Sequence, residues 1–405
     1  MGSSLVRPRR LRRVLTWAGL LLCLFLLYLE APLLTSEKWL QVDDTVEYWA
    51  AGRLNLSGAN PYSPEGLAPL ENQAGRFFQV PVMMWNPPYT LVIAMPLAAL
   101  PYPVSRLVWL ILNVVLLALG AEWTWRVYAG PRRYRWLAWL LCFAFIPTLN
   151  AIGSGQIAIL LFVGAAGFLF YQREGKLWQA GMVAALMAVK PHSLYLFWVI
   201  LLLWALSRRR WPALLGAIGA LAIGTAIASL FNPPLVGQYL HAITSFPPLD
   251  WATPTLGGLL RLLLGTERSW LQFAAAPVGL AWALWWWRKC RQQWDWSEQM
   301  PLLVAVSLVT AAYGWSCDLV VFLLAPLQVA ASLTRTRDLR TAAIVFGSYA
   351  AITGVSVALH GRVNDFWFMW LAPALLAWYL LARRLIGTVS LGQPQMPQVA
   401  ETSQG

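Results

Sequence analysis

Apolar runs long enough to cross a bilayer recur along the chain, and short basic tracts separate them. About 20 apolar residues span the hydrocarbon core as a helix. Backbone groups in lipid must pair within their own segment, so repeated runs of this kind fold as a helical bundle. Only 12% of the 405 residues are charged, against about 25% in a soluble domain. The expected fold class is an all-α polytopic membrane protein.

The formal charge of +13 does not point to nucleic acid. Its residues cluster between apolar runs, at Arg7–Arg13, Arg132–Arg135, Arg208–Arg210, Arg288–Arg291, Arg335–Arg340 and Arg383–Arg384, which is the pattern of cytoplasmic loops. Cys23, Cys142, Cys290 and Cys317 share no ligand spacing, so neither a disulfide framework nor a zinc site is expected. The basic N-terminus and the apolar run after it look like a signal peptide, but no small-residue cleavage pattern follows. The run therefore reads as a retained first helix, Leu15–Leu34.

The charge rule also fixes the topology. If Trp85–Leu100 crossed the membrane, every later basic tract would switch to the outside. Read as a juxtamembrane helix on the outer face, it leaves them all in the cytoplasm. The further spans are then Val104–Trp125, Trp136–Ala151, Ile157–Tyr171, Leu177–Val189, Leu194–Leu206, Ala213–Leu230, Leu271–Trp287, Met300–Trp315, Leu319–Leu333, Thr341–Leu359 and Phe366–Leu381. This makes about twelve helices with both termini inside. Residues 1–14 form a basic cytoplasmic N-terminus and 15–386 the transmembrane domain, with outer loops at 35–103 and 231–268. Residues 387–405, rich in Gln and Pro, form a disordered cytoplasmic tail. The 25 tryptophans read mostly as interfacial anchors.

This topology gathers the unusual polar residues on the outer side. The stretch from Val42 to Tyr62 holds Asp43, Asp44, Glu47, Tyr48 and Trp49. Asp44 and Tyr48 stand four apart and share a face if helical, and Tyr48, Trp49, Leu54 and Leu56 would seat that helix in the membrane interface. A carboxylate at an apolar boundary beside another carboxylate has a raised proton affinity, which suits a general base acting on a hydroxyl; the bland alternative is a solvated acidic turn. Asn150 and Gln156 flank a Gly-rich turn and would either bind sugar hydroxyls or satisfy backbone. Lys190, in Lys190-Pro191-His192, interrupts an apolar run at a cost of about 2.5–3.5 kcal/mol. It reads either as a cation for an anionic group such as a lipid phosphate or as a lysine snorkelling to headgroups. Asp318 reads as a helix N-cap or a site residue. The adjacent Asp43 and Asp44 are a weak signal for a divalent cation; no other cofactor and no metal ligand set is expected.

The ordered motifs resemble glycosyltransferase family 87. They are Asp44-Thr-Val-Glu-Tyr48-Trp-Ala-Ala-Gly-Arg-Leu, Gly58-Ala-Asn-Pro-Tyr62, Asn86-Pro87-Pro88-Tyr89, Gly155-Gln156, Lys190-Pro191 and Tyr313-Gly-Trp-Ser-Cys-Asp318. The resemblance implies a GT-C-type bundle with its site at the extracytoplasmic face, juxtamembrane helices in the first loop, and inverting transfer from a polyprenyl-phosphate sugar, mannose being the expected hexose. It makes Asp44 the catalytic base. Lys190, His192 and Arg261 are the expected phosphate-binding residues, and Asp43, Tyr48, Asn86, Gln156 and Asp318 the expected substrate-binding residues. The partners implied are the polyprenyl-phosphate donor, a lipid or glycan acceptor and membrane lipid, with no nucleic acid. The setting implied is a bacterial plasma membrane and its cell envelope. A transporter or flippase of a lipid-linked glycan would use the same cations and aromatic surfaces, but needs no base. A non-catalytic scaffold of an envelope assembly needs neither Asp44 nor Lys190.

Overall fold

The structure is a computed structural model that describes residues 43–77, 80–248, 253–336 and 338–391. The expected first helix, Leu15–Leu34, and most of the expected tail lie outside the described residues, within which secondary structure is helical and no strand occurs. Among the described residues five helices are long and apolar enough to cross a membrane: Tyr102–Val127, Trp211–Phe231, Ser316–Arg335, Leu339–Leu359 and Asp365–Gly387. Shorter apolar helices fill in between them, among them Ile159–Arg173, Leu177–Val189 and Tyr195–Arg208. Each expected span after the first coincides with helical structure, but not each is one continuous helix.

Trp136–Ala151, expected as one span, is two helices, Arg135–Phe143 and Ile146–Gly153, bent by 62° at the break. Pro147 accounts for the break. It has no N–H to return to the carbonyl of Phe143, four residues earlier, and its ring clashes there. Leu177–Val189 likewise is α-helical only to Ala184 and continues as the 3-10 turn Ala185–Val189. Its total rise is about 22 Å, short of the roughly 30 Å hydrocarbon core. The outer loop expected at 231–268 contains the helices Leu235–Ser245 and Leu256–Leu264. The helix Leu371–Leu391 runs past the expected end of the bundle at residue 386.

The segment expected as the first outer loop is helical at Thr45–Leu56, Pro64–Gln73 and Leu91–Ala98. The Thr45–Leu56 helix does not lie loose in an interface as expected. Tyr48 and Trp49 are buried inside the protein, and the helix packs along Leu91–Ala98 so closely that a Cβ at Gly52 would stand 2.8 Å from Ala98 Cβ and 2.9 Å from Ala94 O. Burial of both faces explains why this helix carries polar residues on all sides yet stays fixed. Its partners are protein, not headgroups.

Some of the tryptophans are core residues rather than surface ones. Trp109, Trp125, Trp204, Trp287, Trp294, Trp296 and Trp378 are buried. Trp296 sits at the centre of an aromatic cluster, with ring centroids 4.9 Å from Phe168, 5.5 Å from Trp294 and 5.7 Å from Trp204. Edge-to-face contacts of this kind favour large rings in a core as much as at a membrane boundary.

Candidate active site

Asp44 is the N-cap residue of the Thr45–Leu56 helix. Its backbone N–H donates to Ser154 O at 3.0 Å, which pins the helix start to the turn after Ile146–Gly153. At the end of that turn Gly155 has φ +67°, and a Cβ there would fall 1.9 Å from Thr45 Oγ1 and 2.8 Å from Asp43 Oδ1. Only glycine fits the left-handed conformation and the close approach together. The Gly155 carbonyl is held by Trp109 Nε1 at 2.8 Å and by Thr45 Oγ1 at 3.3 Å.

From this anchor a chain of polar side chains runs across elements distant in sequence. Gln156 Nε2 donates to Asp44 Oδ2 at 2.6 Å. Gln156 Oε1 accepts from Lys190 Nζ at 2.9 Å and from Tyr48 Oη at 3.4 Å. Lys190 Nζ forms an ion pair with Asp318 Oδ1 at 2.6 Å, and Asp318 Oδ2 accepts from Trp315 N at 2.9 Å. Asp44 and Tyr48, four apart on one helix, thus meet the same glutamine.

Lys190 does not snorkel: it is buried against Asp318. Burial disfavours its ammonium, but the Asp318 carboxylate outweighs that and raises its proton affinity. Asp318 combines both roles weighed for it, a helix-start acceptor and a member of the site. Pro191 ends the run without an N–H, and Asn86 Nδ2 and Tyr89 Oη donate to the carbonyls of Val189 and Ala188, each at 2.8 Å. These side chains satisfy carbonyls that a helix terminus leaves open.

Asp43 points elsewhere. Its carboxylate lies 2.5 Å from Arg106 Nε and accepts from Thr45 N at 2.9 Å and Tyr102 Oη at 3.4 Å. Arg106, 1% exposed, also donates to the carbonyls of Ile152 and Gly153 at 3.1 and 3.2 Å. Burial raises the proton affinity of Asp43, and Arg106 and the Thr45 hydrogen bonds offset part of that rise. Both aspartates are half-buried and line the cavity, but Asp43 is engaged by Arg106 and fastens the helix start, while Asp44 meets Gln156.

That cavity, about 810 Å³, is lined by Asp44, Tyr48, Asn86, Gln156, Lys190 and Asp318. Its lining also includes apolar groups, among them Met83, Trp85, Tyr239, Ile243 and Pro247. His192 lines it too, its ring 6.1 Å from that of Tyr313, and burial pushes its imidazole down to about 4. Arg261 is not part of the lining. Its guanidinium donates to Thr266 O at 2.8 Å and Gln272 Oε1 at 3.2 Å, so this expected phosphate ligand serves the 256–272 segment instead.

Of the carboxylates and histidines in the lining, Glu47, Asp365 and His360 were not expected as site residues. Glu47 stands one turn after Asp44. Asp365 accepts from Ser316 N at 3.1 Å and from Ser316 Oγ, and Asn150 Nδ2 donates to the same hydroxyl at 3.1 Å. His360 completes this arm of the cavity. Arg106, behind the lining, was also not expected. On the expected topology Arg106 falls at the outer end of the span Val104–Trp125 and breaks the charge rule just as Lys190 does, and that was its available signal. Among the described residues no group of three His, Cys, Asp or Glu side chains is arranged to hold a metal ion.

Chemically, the arrangement presents Asp44, a half-buried carboxylate, joined through Gln156 to the buried Lys190–Asp318 pair, in a cavity large enough for a sugar and a headgroup. The model of glycosyltransferase family 87 matches residues 85–317, more than half of the chain. The matched span contains Asn86, Gln156, Lys190 and His192 and starts after Asp44. No curated protein and no solved structure matches the chain. An ordered set of motifs, their convergence on one cavity and the family match agree: the chain belongs to glycosyltransferase family 87.

Proposed function

We propose that this glycosyltransferase moves a hexose, mannose in the first instance, from a polyprenyl-phosphate donor to a hydroxyl of a lipid or glycan acceptor, with inversion at the anomeric carbon. Asp44 is the general base. The observation that carries this reading is the placement of Asp44, half-exposed to the cavity and joined through Gln156 to the Lys190–Asp318 pair. Asp44 takes the proton of the acceptor hydroxyl as its oxygen attacks the anomeric carbon. The bond from that carbon to the phosphate oxygen breaks, and the electron pair leaves with the phosphate. A phosphate needs little protonation to depart, and Lys190, with its charge maintained by Asp318, stabilises the charge that develops.

The apolar part of the lining supports a lipid-linked donor entering from the bilayer. In this reading the helices form a GT-C-type bundle of about twelve spans, with the cavity on the extracytoplasmic side of a bacterial plasma membrane and both termini inside. Five described helices meet the length and hydropathy of a span, and the bent pair makes a sixth; the rest of the count comes from shorter or broken helices and the segment before residue 43.

The test is transfer of radiolabel from a short-chain polyprenyl-phosphate mannose to membrane lipid extract, by purified protein in lipid. Asp44→Asn is expected to keep donor binding and lose about 100- to 10,000-fold in turnover, the usual contribution of a general base. Turnover by Asp44→Asn near the wild-type rate would remove the base assignment.

A further inference from the structure

The charges around the cavity do not balance. Asp43, Asp44, Glu47, Asp318 and Asp365 are the carboxylates of its lining. Lys190 is taken by Asp318 at 2.6 Å and Arg106 by Asp43 at 2.5 Å, and His360 acts on Asp365. Asp365 receives the N–H and hydroxyl of Ser316, and Asp44 the amide of Gln156. Glu47 is left as a carboxyl group 7% exposed, one turn from Asp44 on the same face, with no cation of its own.

The groups that act on Glu47 divide: Asp44 and Glu71 oppose its charge, the Tyr48 hydrogen bond and Lys190 favour it, and burial outweighs them. From its own helix these are Asp44 and Tyr48. From the Pro64–Gln73 helix it is Glu71, itself bound by Arg76 at 2.9 Å, and beyond the cavity it is Lys190. A buried carboxyl with no counter-ion beside another carboxylate takes up a proton rather than carry its charge. Burial first, then Asp44, raises its proton affinity well above the ordinary range. A neutral carboxylic acid is a hydrogen-bond donor, which an ionised one is not.

We propose that Glu47 is a further substrate-binding residue, acting in its neutral acid form as a hydrogen-bond donor to a phosphate oxygen of the bound donor. This rests on the polyprenyl-phosphate reading above. Asp44 and Glu47, one turn apart on one helix, then take opposite parts. Asp44 accepts a proton from the acceptor and Glu47 offers one, as a hydrogen bond, to the group that leaves. The arrangement also explains how a cavity with surplus carboxyl groups admits an anion. One of them is uncharged, and the cation in the lining does not have to neutralise the phosphate alone.

The test measures farnesyl phosphate binding to the full chain in lipid nanodiscs by titration calorimetry, for wild type, Glu47→Gln, Glu47→Ala and Asp44→Asn. Glutamine is neutral and keeps a donor at the same reach, so Glu47→Gln is expected to bind within about twofold of wild type. Glu47→Ala is expected to bind about tenfold more weakly, the loss of one hydrogen bond to a charged partner. Wild-type binding should weaken as pH rises and Glu47 ionises, and that weakening should be absent in Glu47→Gln. Equal loss in the glutamine and alanine variants, or equal pH dependence in wild type and Glu47→Gln, overturns the proposal. If the alanine variant does not fold, the pH comparison still decides. Asp44→Asn separates this from the base assignment: it is expected to show none of the loss of farnesyl phosphate binding seen in Glu47→Ala, whether or not turnover is lost. Failure of every variant and the wild type to bind farnesyl phosphate would instead sink the donor reading on which this one stands.

Discussion

Removing the anchor behind Asp44 gives the sharpest test of how the site is built. Asp43 and Arg106 form a buried pair at 2.5 Å, with side chains 9% and 1% exposed. Breaking such a pair from one side leaves an uncompensated buried charge and costs about 3–5 kcal/mol. The two partners are not equivalent here. Arg106→Gln strands Asp43 and also loses the bonds to the carbonyls of Ile152 and Gly153, so the upper end of that range applies. Asp43→Asn keeps an acceptor for Thr45 N and Tyr102 Oη and leaves Arg106 its two carbonyls, so about 1–3 kcal/mol is expected. In the double variant the stranded charge is gone, and its total should fall at least about 1–2 kcal/mol short of the sum of the singles. The assay is equilibrium unfolding in mixed micelles, with transfer rates measured alongside.

The pH dependence has a definite sign. Asp43 has a raised proton affinity in the folded protein through burial, and loss of Arg106 raises it further. The folded state then holds a proton that the unfolded state releases, so Arg106→Gln should be least destabilised in acid and lose stability as pH rises through the folded-state value. Strict additivity of the two substitutions, or an Arg106→Gln variant indifferent to pH, refutes the account of Asp43 as a fastener rather than a second base.

Other consequences can be checked separately. Lys190→Met strands Asp318 and should cost about 3–5 kcal/mol, and adding Asp318→Asn should restore much of the stability but none of the transfer activity, read by melting and by label transfer. Gly155→Ala meets both a left-handed backbone and Thr45 Oγ1 at 1.9 Å; a loss of about 2–4 kcal/mol is expected, with turnover falling as the Asp44 helix is displaced. Because burial holds His192 near 4, it stays neutral from pH 5 to 8, and His192→Gln should leave the shape of the pH–rate profile unchanged over that range.

Much of this site is legible in the chain because membranes penalise polar residues that have no purpose. Lys190 stands out for that reason, and so does Asp44 beside Tyr48. What composition and spacing do not carry is partnership. Lys190 and Asp318 are 128 residues apart, and nothing in either neighbourhood says that one neutralises the other. Local geometry misled in the other direction at Arg261, whose donors are used within five residues by Thr266. The span at Trp136–Ala151 was read through Pro147 because hydropathy averages over a window, whereas the helix breaks at a single missing N–H. The burial of Tyr48 and Trp49 was missed because aromatic residues suit a headgroup layer and a protein interior equally well.

Asn86 and Tyr89 grip the two carbonyls just before Lys190, and Trp85, next to Asn86, donates its Nε1 to Phe246 O at 3.0 Å. The indole that belongs to the apolar lining and the ammonium that meets the carboxylate chain therefore ride on one stiff unit. A donor bound as proposed would thus meet walls already braced by hydrogen bonds from Asn86, Tyr89 and Trp85.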